Sequence, residues 1–215
     1  TKLSNRILLQ FVIAIILVGV AIAMNAEFLN QFYLLNQQTN TGIILNSFIA
    51  GILIFGMLNL LVLLIRYSRE ERSIAAFVEN VEAIRQDPTE GLNAHSLIAK
   101  RYATMKSINM AHGEINHNAL AAMLTADEST RLGVVRFINN ILILTGVFGT
   151  IVSLSIALLG ASDLIESAGT GLDGMGLVIH GMSTALSTTI TAIVSYVLFG
   201  YFYLRVKDVQ THLIS

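Results

Sequence analysis

The chain has 215 residues, 54% of them apolar and 13% charged, with a formal charge of −1 and a mean hydropathy of +0.69. That balance excludes an ordinary soluble domain and a disordered tail, and it predicts a protein held in a lipid bilayer. The absence of Cys excludes disulfides, Cys-ligated zinc and iron–sulfur clusters.

Four apolar stretches are long enough to cross ~30 Å of hydrocarbon: Ile7–Met24, Ile43–Ile65, Phe137–Ala161 and Met175–Leu204. All 13 Lys and Arg residues lie before the first stretch, between the second and third, or after the fourth. The Asn25–Gly42 connection carries only Glu27, and the Ser162–Gly174 connection carries Asp163, Glu166 and Asp173. By the positive-inside rule both termini and the long middle segment are cytoplasmic and the two acidic connections are outside. The predicted fold is therefore an all-α membrane protein of four transmembrane helices, N-in and C-in, with a helical cytoplasmic domain between helices 2 and 3. Its predicted divisions are 1–66 (outer helices), 67–134 (cytoplasmic domain), 135–204 (the second pair of helices) and 205–215 (a cytoplasmic helix end).

The first stretch follows Lys2 and Arg6 and ends near Ala21-Ile22-Ala23, as a secretory signal would. Its apolar length exceeds a signal core, so a retained transmembrane helix is expected. In the second stretch Asn46, Asn59, Gly51 and Gly56 read as helix-packing residues, small ones allowing close approach and Asn bonding across. Beyond Arg66 the apolar residues Ile74, Phe77, Val78, Val81 and Ile84 keep a helical spacing, so that helix is expected to leave the membrane unbroken and to stop before Pro88.

The segment from Asn93 to Asn118 reads as irregular helix. His112-Gly113-Glu114-Ile115-Asn116-His117 has neither His-Glu-x-x-His spacing nor a downstream Cys pair, so it reads as a loop or helix junction and no metal site is expected. Thr125-Ala126-Asp127-Glu128 fits a capping box, which predicts a helix starting there and running into the third stretch. Gly169-Thr170-Gly171-Leu172-Asp173-Gly174 matches G-x-G-x-x-G in letters, but it follows no strand and lies between two membrane stretches, so it reads as a turn. No P-loop, catalytic Ser/His/Asp set or basic nucleic-acid patch is present; neither an enzyme nor nucleic-acid binding is expected.

The last two stretches hold no Lys, Arg, Asp or Glu, yet they concentrate Gly and hydroxyl residues. Thr145, Gly146, Gly149, Thr150, Ser153 and Ser155 lie on one arm; Gly181, Ser183, Thr184, Ser187, Thr188, Thr189, Thr191 and Ser195 lie on the other. Thr184, Thr188, Thr191 and Ser195 recur at i, i+4, i+7 and i+11, one stripe on one helix face. Lipid offers a hydroxyl no partner, so the stripe must meet another helix or water. Thr150 lies ~16 Å, and Ser187 to Thr189 ~18–21 Å, below the outer surface, so the two sets meet near mid-membrane. Because no span supplies Asp or Glu, an ion-handling seam would need a carboxylate from another chain.

Gly146-Val147-Phe148-Gly149-Thr150-Ile151-Val152 resembles the G-L-[LF]-G-T-V-x-G segment of the MotA/TolQ/ExbB proton-channel family. Gly181-Met182-Ser183-Thr184-Ala185-Leu186-Ser187-Thr188-Thr189 resembles its second signature, G-I-x-E-A-L-x-x-T. Ser153 stands where the family has a later Gly, and Thr184 where many members have Glu. Four spans with a short first outer loop resemble the MotA branch; phage-defence motors also belong to the family. The resemblance implies a bacterial inner-membrane motor or stator subunit, a homopentamer around two copies of a single-span MotB/TolR/ExbD-like partner carrying a membrane Asp. It implies an ion path for H⁺ or Na⁺ along Thr150, Ser187, Thr188, Thr189 and Thr184, with Gly146, Gly149, Ser153, Gly181, Thr191 and Ser195 as pore-lining packing residues, and no cofactor beyond the translocated ion. The competing expectation is a membrane scaffold whose Ser, Thr and Gly residues only pack helices.

Overall fold

The computed structural model describes residues 2–24, 27, 40–84, 87–94, 96–112, 116–166 and 172–214. Among these residues the chain forms five helices and no strand: α1 (Lys2–Met24), α2 (Thr41–Glu82), α3 (Leu97–Met110), α4 (His117–Glu166) and α5 (Leu172–Ile214). Helices in α2, α4 and α5 are long and apolar enough to cross a membrane, whereas the apolar stretch of α1 that qualifies, Arg6–Val20, is shorter. The chain is thus all-helical with the elements of a membrane protein. Of the turn expected at Gly169–Gly174, residues 169–171 lie outside the described residues, while Leu172, Asp173 and Gly174 already belong to α5. The centre of the His112–His117 stretch and most of the Asn25–Gly42 connection also lie outside the described residues.

α2 runs unbroken from the apolar stretch through the charged run after Arg66, as the spacing predicts, and ends six residues before Pro88. The start of α4 differs from the expectation. The helix begins at His117, where Asn116 Oδ1 accepts the Ala119 N–H at 3.1 Å. Thr125 is no cap: its hydroxyl donates to Ala121 O, four residues back inside the same helix. Glu128, expected to close that cap, is instead 1% exposed.

The chain divides into two compact units: one of residues 1–12, 59–134 and 203–215, the other of residues 13–58 and 135–202. The first therefore gathers both described chain ends around the segment expected as a separate domain at 67–134. Its core holds Ile7, Phe11, Leu60, Leu64, Tyr67, Leu132, Val206 and Val209. Inside it Tyr67 Oη donates to Glu128 Oε2 at 3.3 Å, and Arg131 Nε lies 2.9 Å from Glu128 Oε1, off the line of a good hydrogen bond. Burial, then the charge of Glu128 and the bond to it, push the Tyr67 hydroxyl well above its ordinary range. Glu70 is also buried there and accepts the first N–H of α3, from Leu97, at 2.8 Å. Asn80 closes the turn after α2 by donating to Pro88 O and Glu90 O at 3.1 and 3.0 Å.

Candidate functional site

The second unit contains the hydroxyl-rich arms, now parts of α4 and α5. Glycines bring them together by close backbone approach. A Cβ at Gly181 would lie 2.6 Å from Ser153 O, and one at Gly160 would lie 2.7 Å from Gly174 O. One at Gly146 would collide with the Ala192 Cβ, and one at Gly149 would lie 3.1 Å from the Thr188 Cβ. In lipid, where burial of apolar surface does not drive helices together, such contacts supply the dispersion and shape complementarity that do. The two arms thus meet along their length, from Gly174 to Ala192.

This contact buries most of the predicted seam. Ser153, Thr184, Ser187, Thr188 and Ser195 are all 5% exposed or less, and Gly146, Gly149 and Gly181 are buried with them. Thr150, Thr189 and Thr191 keep intermediate exposure. The structure therefore splits the predicted site residues into two sets. Ser187, Thr188 and Thr184, predicted on the ion path, lie in the helix contact beside the packing residues; Thr150 and Thr189 reach the helix surface. The apolar side chains around them, Val147, Phe148, Ile151, Leu186, Ile190 and Ile193, are exposed, as lipid or neighbouring helices require.

The hydroxyl hydrogens are nearly all used locally. Thr150 donates to Val147 O at 2.6 Å, Ser153 to Gly149 O at 2.8 Å, Ser187 to Thr184 O at 3.1 Å, Thr188 to Thr184 O at 2.9 Å, Thr189 to Ala185 O at 2.8 Å and Thr191 to Ser187 O at 2.8 Å. A hydroxyl that has given its one hydrogen to its own helix still presents oxygen lone pairs. Such a surface accepts and does not donate. It suits a cation, or the O–H of a protonated carboxyl group, and it repels an anion.

In the sequence Asn46 reads as a helix-packing residue, with no partner indicated. It reaches from α2 into the seam, its Nδ2 donating to Ser187 Oγ at 3.4 Å. Its Oδ1 is enclosed with no hydrogen-bond partner among the described residues, and so is the Oγ1 of Thr184, one turn before Ser187. An Asn inside an apolar stretch was the visible signal; which helix it would meet was not written locally. His180 is buried at 4% exposure. No group of three His, Cys, Asp or Glu residues able to hold a metal occurs among the described residues.

No protein-family model, curated protein or solved structure matches the chain.

Proposed function

We propose that the chain is the membrane subunit of an ion-driven motor or stator, with four spans, both termini cytoplasmic, in a bacterial inner membrane. The observation that carries this reading is chemical. Thr150 and Thr189 sit half-exposed on the charge-free stretches of α4 and α5, with their hydrogens given to their own helices and their lone pairs left over. That supports a wall along which a partner's carboxyl group, alternately protonated and ionised, is passed. The wall supplies no fixed charge to trap it, and the transmembrane potential supplies only ~2.3 kcal/mol per charge per 100 mV, so barriers between positions must be low. The Asp comes from a single-span partner, because α4 and α5 carry none from Phe137 to Ala161 or from Met175 to Leu204. The subunits form a ring, a pentamer by resemblance to the MotA/TolQ/ExbB family, around two partner chains, and H⁺ or Na⁺ is the ion. Ser187, Thr188 and Thr184 in this reading hold the wall's shape and do not touch the ion directly.

The scaffold reading is favoured by a specific observation: the close approaches at Gly181 and Gly149 fall on Ser153 and Thr188, both fully buried, so close helix packing accounts for these two without any ion. Co-purification and work output separate the two. The motor reading expects a small single-span protein with a membrane Asp to co-purify, and Thr150→Ala to abolish work while the complex still assembles. Full work from Thr150→Ala and Thr189→Ala together would leave the scaffold.

A further inference from the structure

The first unit contains a cleft of about 510 Å³ whose walls include Val62, Ile65, Arg66, Arg69, Ser73 and Ser96. Its position along α2 gives it two chemistries. Val62 and Ile65 belong to the end of the apolar stretch and are exposed. Arg66 is the first charged residue after that stretch, and Arg66, Arg69 and Ser73 follow at i, i+3 and i+7, one stripe of the same helix. A helix crossing a bilayer brings its first charged turn to the level of the lipid phosphates. The apolar end of the cleft then faces acyl chains and its basic end faces headgroups.

The opposite wall is made by the start of α3. Ser96 caps that helix, its Oγ accepting the Ala99 N–H at 3.3 Å, so its own O–H remains to donate. Neither Arg66 nor Arg69 is in an ion pair among the described residues. The one carboxylate among the described residues lining the cleft, Glu70, is buried and engaged by Leu97 N–H. Two guanidiniums against one carboxylate leave a single positive charge, the complement of one phosphodiester.

We propose that this cleft binds the phosphodiester of a membrane glycerophospholipid, with Arg66 and Arg69 on the phosphate oxygens, Ser73 and Ser96 beside them, and Val62 and Ile65 against the glycerol and upper acyl chain. Planar guanidiniums match two phosphate oxygens at once, which is why Arg holds such a group better than a point charge does. The inference rests on α2 crossing the membrane, part of the reading above, but not on any ion being carried.

The test is native mass spectrometry of the full chain, delipidated in mild detergent and titrated with phosphatidylglycerol. One lipid is expected to bind per chain, with affinity falling about tenfold or more in Arg66→Gln/Arg69→Gln. The matched variant Lys106→Gln/Arg136→Gln removes the same charge outside the cleft and is expected to bind as the unaltered chain does. Equal binding by the cleft variant, or an equal loss in the matched variant, overturns the proposal. A second measurement needs no substitution: phosphatidylglycerol, and not diacylglycerol, is expected to raise the melting temperature of the unaltered chain. Equal stabilisation by inorganic phosphate would make this a soluble-anion site and overturn the lipid assignment. Work output is read in neither arm, so failure here and failure of the motor reading show up separately.

Discussion

Asn46 on α2 hands a hydrogen bond to Ser187 on α5, 141 positions away, at 3.4 Å. This side-chain bond joins the second apolar stretch to the fourth within the second unit. Removing it with Asn46→Ala is expected to cost about 0.6–1.7 kcal/mol, the range for single interhelical hydrogen bonds in lipid. Reversible unfolding in mixed micelles reads this directly. Ser187→Ala should cost as much, and the double variant little more than either; strict additivity would mean the two groups do not interact.

The glycine contacts predict a sharp contrast between positions. Gly181→Ala must push Ser153 O or Ala157 aside, an overpacking expected to cost about 1–3 kcal/mol. Gly51→Ala meets nothing within 4 Å and should leave stability unchanged or slightly raised. Equal melting temperatures for the two variants would deny the close approach of α4 and α5.

Thr150→Ser keeps the lone pairs and Thr150→Val keeps the shape. If the proposed ion path is right, the Ser variant works at near-normal rate and the Val variant loses work by about tenfold or more, as for one lost polar contact in a dry site. Swimming, import or defence assays, whichever the load turns out to be, give the readout. Identical behaviour of Ser and Val would count against any polar role for this side chain.

Tyr67 predicts an alkaline limb. Its folded value is raised above the ordinary 10.0, by burial first and by Glu128 second. The sign follows: below pH 10 both states keep the proton and the contribution is complete, whereas above it the unfolded chain releases a proton that the folded chain retains, so stability falls as pH rises. Tyr67→Phe has no proton to lose and should flatten that part of the profile, at a cost of about 1 kcal/mol near neutrality for the lost bond to Glu128. Thermal melts between pH 8 and pH 11 are the check, roughly spanning the ordinary tyrosine range.

Asn80 holds the turn after α2 with both hydrogens of its amide. Asn80→Ala is expected to destabilise the first unit by about 1–3 kcal/mol, since two carbonyls lose their donor. Faster proteolytic nicking at residues 87–94 is the accompanying sign, and an unchanged digestion pattern would show the turn is held by something else.

Much of this architecture was legible because it is periodic. The apolar stretches at 43–65, 137–161 and 175–204 announce their helices by length alone, and the spacing from Ile74 to Ile84 announces that α2 continues. Thr125 misled because a cap motif is written in four letters that also occur inside a helix, where the hydroxyl simply turns back to Ala121 O. Pairings such as Asn46 with Ser187 and Tyr67 with Glu128 were not legible, since they depend on which helices associate and in what rotation. The hydroxyl stripe announces its need of a partner, but that the neighbouring helix encloses Thr188 and leaves Thr150 and Thr189 half-open comes from the placement of the glycines.

The glycine-to-backbone contacts between α4 and α5 leave no space for a file of water inside the hairpin. Within the second unit the α4–α5 hairpin is then a solid stave and not a half-pipe, and any ion that follows the Thr150 and Thr189 hydroxyls is expected to pass along its outside.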